Sequence, residues 1–110
     1  MIRNETVRTL ALALPDVEER DHVGFPSFRA YGGKFCTLFP DERRASLGLG
    51  PAEQAEVCRE HPEAFSPVEG GFGRMGHTWV DLTRVERAAF QRALGLAWTR
   101  RAKLRGRPKR

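Results

Sequence analysis

An antiparallel α+β domain is what this sequence predicts, and three features predict it. Strand-like segments follow one another between residues 27 and 49 with only tight turns between them. Helical periodicity stands near both ends of the chain and once between. The strand–helix–strand alternation that a parallel sheet requires is missing. The expected architecture is an antiparallel sheet with N- and C-terminal helices packed on one face. A domain over residues 1–99 is then followed by a disordered basic tail, 100–110.

Each element has a local reason. Val7, Leu10, Ala11 and Leu14 fall at helical spacing, with Asn4 as the expected cap and Pro15 as the stop. Asp16 to Asp21 holds four acids in six residues without apolar period, and reads as a solvated face or a short edge strand. Ser27 to Tyr31 and Lys34 to Phe39 read as a hairpin, because Gly32-Gly33 supplies the positive φ of a two-residue turn. Along its second strand Phe35, Thr37 and Phe39 share one face, and Cys36 and Leu38 the other. Ala45, Leu47 and Leu49 alternate along a third strand, which completes a meander. Gly50-Pro51 opens a second helix that runs to about Glu60. Residues 63–76, rich in glycine, read as a loop. His77 to Leu82 reads as a strand with Thr78, Val80 and Leu82 opposite His77, Trp79 and Asp81. Thr83 and Glu86 have capping-box spacing ahead of a last helix whose stripe is Phe90, Ala93, Leu94 and Ala97.

Composition bounds the function. Leu, Ile, Val and Phe make up a little under a quarter of the 110 residues, enough for one modest core. No apolar run reaches the length of a membrane helix, and Met1 to Glu5 is polar, so a soluble cytoplasmic protein with no membrane partner is expected. The chain carries 19 Lys and Arg against 14 Asp and Glu, a net +5. Seven of those basic residues lie in the last eleven positions, which hold no acid. The remainder is therefore net −2, and a polyanion partner is expected first at the C-terminus.

Few residues have the pattern of a chemical site. Cys36 and Cys58 read as reduced, packed thiols. Cys58 with His61 makes half a metal or nucleophile pattern with no matching second half, so no metal, cofactor or catalytic residue is expected. Gly71-Phe72-Gly73-Arg74-Met75-Gly76 spells a dinucleotide fingerprint, but a strand rather than a helix follows it. Arg105-Gly106-Arg107-Pro108, flanked by Lys103, Lys109 and Arg110, resembles an AT-hook core. In such a segment the glycine lets the backbone approach the minor groove and the arginines reach along it. Arg100 and Arg101 extend the basic run. On the body, Arg29, Lys34, Arg43, Arg44 and Arg74 are either a basic face around the hairpin or ordinary solvated positions. Trp79 either stacks on a base, beside His77, or packs under the glycine-rich loop.

The order of several segments resembles the MmcQ/YjbR family of small bacterial proteins. The resemblance spans about residues 7–99. It rests on Leu14-Pro15-Asp16-Val17-Glu18-Glu19, on Gly24-Phe25-Pro26-Ser27-Phe28-Arg29 with Gly33-Lys34-Phe35, and on Gly73 to Val80 ahead of a helix ending near Ala97-Trp98. It implies a CyaY-like fold, similar to a double-wing motif, and the family's label of DNA binding. The expected function is thus DNA binding, non-specific or A·T-preferring, through the tail with a contribution from the hairpin face. The alternative is a domain for a small molecule or a protein, with its pocket between the glycine-rich loop and the sheet near His77 and Trp79.

Overall fold

The computed structural model describes residues 1–22 and 24–105. Its elements are α1 (Asn4–Leu12), β1 (Glu18–His22), β2 (Phe25–Ala30), β3 (Gly33–Leu38), β4 (Arg44–Gly48), α2 (Pro51–Glu60), β5 (Phe65–Pro67), α3 (Gly70–Arg74), β6 (His77–Asp81) and α4 (Arg87–Arg105). The six strands form one sheet in the order β1-β2-β3-β4-β6-β5, and each neighbouring pair is antiparallel. Strands β2, β3 and β4 make the expected meander, and β1 adds a fourth strand at its edge. The chain then leaves through α2, returns at the far edge as β5 and lays β6 between β5 and β4.

Register decides what each face carries. Cys36 lies opposite Leu47 and Leu47 opposite Thr78, while Leu38 lies opposite Ala45 and Ala45 opposite Val80. All six are buried and face the helices. Helix α4 lies across β2, β3 and β4, and α2 lies against β5 and β6. Val7, Leu10 and Ala11 of α1, Val57 of α2, and Phe90, Ala93, Leu94 and Ala97 of α4 are the helices' contribution to the core. The buried Thr78 hydroxyl is satisfied by donating to the Gly76 carbonyl at 2.8 Å. The alternate row, Thr37 opposite Ser46 opposite Trp79, points away from the core helices. Among the described residues, no helix is long and apolar enough to cross a membrane.

Several local expectations are corrected. The hairpin turn is Tyr31-Gly32, with φ of 55° and 82°, and Gly33 is already paired with Ala30. Asn4 is the first residue of α1 rather than its cap; its side-chain Nδ2 donates to the Phe39 carbonyl instead. No capping box forms at Thr83. The Asp81 carboxylate accepts from both the Thr83 amide and its hydroxyl, and α4 starts only at Arg87. The segment 63–76 is not a plain loop, since it carries β5 and α3. Finally, Arg100, Arg101 and Lys103 are helical, because α4 continues to Arg105. The first six residues expected to be disordered are thus the last turns of α4. The rest of the AT-hook-like segment, Gly106, Arg107, Pro108, Lys109 and Arg110, lies outside the described residues, as does the Arg105 side chain.

Candidate functional site

The sheet face turned away from the core helices is partly roofed by α3. Two interactions hold this short helix in place. The Gln54 side chain of α2 donates to the Gly73 and His77 carbonyls at 3.0 and 2.9 Å. The Val68 amide donates to the same His77 carbonyl at 3.0 Å, which carries the β5–β6 pairing onward. Gly76 then allows the chain to turn into β6. Its φ is +112°, and a Cβ there would overlap the Leu49 carbonyl oxygen. Gln54 was not legible as a site-building residue, since a polar residue on an exposed helix looks like any other solvated position.

Between α3 and the sheet lies a cavity of about 200 Å³. Thr37, Ser46 and Gly48 contribute to its floor, and Phe72, Trp79 and His77 to its walls. Phe72 is 66 % exposed, yet its ring stands edge-on to the His77 imidazole with centroids 5.4 Å apart. Burial lowers the His77 pKa below its usual value, and the nearby charges of Lys34 and Arg100 lower it further. The imidazole therefore favours its neutral form beside these two cations.

Trp79 is held on three sides. Its indole N–H donates to Glu69 at 3.3 Å, and the Phe39 ring meets it edge-on at 5.4 Å. The Arg44 guanidinium lies over its face, 4.4 Å from the ring centroid, and 4.8 Å from that of Phe39. Glu69 is held below the usual carboxylate range by hydrogen bonds from its own backbone amide and from Trp79, with the Arg44 charge adding to the effect. One face of this indole is therefore occupied by a side chain of the protein itself.

The basic residues singled out from sequence do not all meet. Lys34, His77 and Trp79 line the cavity, and Arg44 covers Trp79. Arg74 is exposed at the end of α3. Arg29 sits in register between Glu18 of β1 and Lys34 of β3, next to Lys34 but outside the cavity lining. Arg43 lines a separate cavity of about 470 Å³ at the β5 edge, together with Asp81 and Glu63. The basic residues of α4 split by role. Arg101 donates to the Ala30 and Tyr31 carbonyls at 3.4 and 3.0 Å, which makes it a clamp on the hairpin. Arg100 reaches the other way, toward Gly50 and His77. Lys103 is exposed. Among the described residues, no group of three or more His, Cys, Asp or Glu side chains is arranged to hold a metal ion.

No known protein family matches the sequence, and no curated protein does. The fold is similar to that of the crystal structure of Deinococcus radiodurans protein DR2400, a DUF419-domain protein. The match has a TM-score of 0.72 at 17 % identity and covers 98 % of this chain and 91 % of that one. At that identity the likeness establishes a shared fold.

Proposed function

We propose that this chain is a DNA-binding domain of the MmcQ/YjbR type that contacts duplex through the C-terminal end of α4 and the residues beyond it. One observation carries the reading. Arg101 fixes the end of α4 against the β2–β3 turn, and Arg100 lies beside His77, which also feels Lys34. The acid-free C-terminal run thus starts, at Arg100 and Arg101, on the part of α4 that lies near Lys34 and the β2–β3 turn. A cationic helix terminus is also favoured by the helix dipole. This arrangement reconciles a net-acidic body with a polyanion partner, because non-specific affinity needs a localised positive patch rather than a basic surface throughout.

The segment beginning at Arg105-Gly106-Arg107-Pro108 supports A·T preference through the minor groove. Anisotropy titrations with A·T-rich and G·C-rich duplexes test both parts. Affinity that falls by about three decades between 50 and 200 mM salt fits contact with roughly six phosphates. Equal affinity for the two duplexes would remove the minor-groove part and leave the electrostatic one. No binding at low salt would end the proposal.

A further inference from the structure

The cavity beneath α3 is not needed for contact with a duplex, and its chemistry is specific. Its walls include two aromatic rings, those of Phe72 and Trp79, and its floor carries the hydroxyls of Thr37 and Ser46. Its positive charge comes from one direction, where Lys34 lines it and Arg100 stands near His77. The volume of about 200 Å³ sets the size of an occupant. An enclosed apolar cavity of about 150 Å³ holds one benzene ring, so this space has room for a single ring with a small substituent.

We propose that this cavity is a binding site for a one-ring aromatic carboxylate, its ring between Phe72 and Trp79 and its carboxylate toward Lys34 and His77. Apolar walls alone would accept any small ring. The anionic group is selected because Lys34 lines that side of the cavity and its charge reaches His77, whereas Arg100, farther out, stands close to Glu53. The roof favours entry. Phe72 is mostly exposed on a five-residue helix, so it moves at little cost and regains burial when a ring slides beneath it. The proposal shares Lys34 with the DNA reading, but its test uses small molecules alone and requires no nucleic acid.

The test uses the full chain and nuclear magnetic resonance with benzoate, benzyl alcohol and acetate as probes. The indole N–H of Trp79 reports on the cavity, and that of Trp98, which donates to the Pro15 carbonyl on the opposite side of the sheet, serves as the internal control. Benzoate is expected to shift the Trp79 signal saturably at millimolar concentration or below, an affinity in keeping with a small ligand. Benzyl alcohol should bind roughly tenfold more weakly, the loss expected for a missing charge-assisted hydrogen bond. Lys34→Met should abolish that difference. Gly48→Ala offers a second handle. Its new Cβ would sit 3.9 Å from His77 Cε1 with no clash, so the fold survives while the floor of the cavity rises. Weaker binding of both aromatic probes to that variant supports the site. No saturable shift of Trp79 up to about 20 mM benzoate, or equal binding of benzoate and benzyl alcohol, overturns the proposal. A shift with acetate as large as that with benzoate also overturns it, because it reports an ion at the surface.

Discussion

The guanidinium of Arg101 donates to the carbonyl oxygen of Tyr31 at 3.0 Å, across 70 residues of sequence. Tyr31 is the first residue of a tight turn and holds φ at 55°, and this bond supplies its carbonyl with a charged donor. The interaction ties the end of α4 to the hairpin and fixes where the basic segment begins.

Loss of this clamp should destabilise the fold without emptying its core. Arg101→Ala is expected to cost about 1–2 kcal/mol, or roughly 5–10 °C in Tm for a domain of this size. Gly33→Ala should act on the same bond, because a Cβ at Gly33 would overlap the Arg101 guanidinium. The two changes together should then cost clearly less than their sum. Additive losses in a thermal double-mutant cycle would show that they act independently.

The glycines of the fingerprint-like run should respond very differently to substitution. Gly76→Ala is expected to lower stability by about 3 kcal/mol or more, since its positive φ and the Leu49 carbonyl both oppose a side chain. Gly71→Ala meets only the far end of Arg74, at 3.7 Å, and should stay within about 0.5 kcal/mol of the parent. Chemical denaturation of the two variants checks this. Similar losses in both would mean that the turn geometry at Gly76 is not what the motif serves.

These glycines also show where sequence reading stopped. The meander was legible because alternation in 35–39 and 45–49 is a local signal, and Pro51 marked the start of α2 directly. The segment 63–76 was not, because β5 is only three residues long and α3 only five. Neither can show a period, and α3 is held by Gln54 from a distant helix. The Thr83 box failed for a similar reason, since Asp81 lies two residues upstream and captures the hydroxyl that would cap. For the candidate site, His77 and Trp79 were legible as candidates near the glycine-rich run, and Lys34 only as part of a basic face around the hairpin. The roof formed by Phe72 and the cover that Arg44 places over Trp79 depend on tertiary packing and leave no local trace.

His77 makes stability depend on pH. Its folded pKa lies below the unfolded value, first because of burial and then because of Lys34 and Arg100. Between the two values the unfolded chain binds a proton that the folded chain refuses. Stability from this group is therefore complete above the unfolded pKa near 6.5 and is lost as pH falls through that point toward the folded pKa. Lys34→Met should raise the His77 pKa, observable as an upward move of its imidazole titration by NMR. An unchanged midpoint would show that the Lys34 charge does not reach the ring.

The two thiols should differ in reactivity. Complete burial pushes Cys36 up to about 12, whereas Cys58 is only partly buried and is raised less strongly by the same cause. Ellman's reagent at pH 8 should label Cys58 slowly and Cys36 only on unfolding. Fast labelling of two thiols in the native protein would contradict the packing of β3 against the helices.

The central claim is that duplex affinity resides at the α4 end. Removing residues 100–110 would not test it cleanly, because residues 100–105 are helical and Arg101 supports the hairpin. The direct measurement is anisotropy with an A·T-rich duplex, comparing the full chain with a variant carrying Arg107→Gln, Lys109→Gln and Arg110→Gln. The account predicts a loss of at least tenfold at about 100 mM salt and a salt slope shallower by roughly two to three. Affinity and slope unchanged by the three substitutions would contradict it and move the contact onto the folded body.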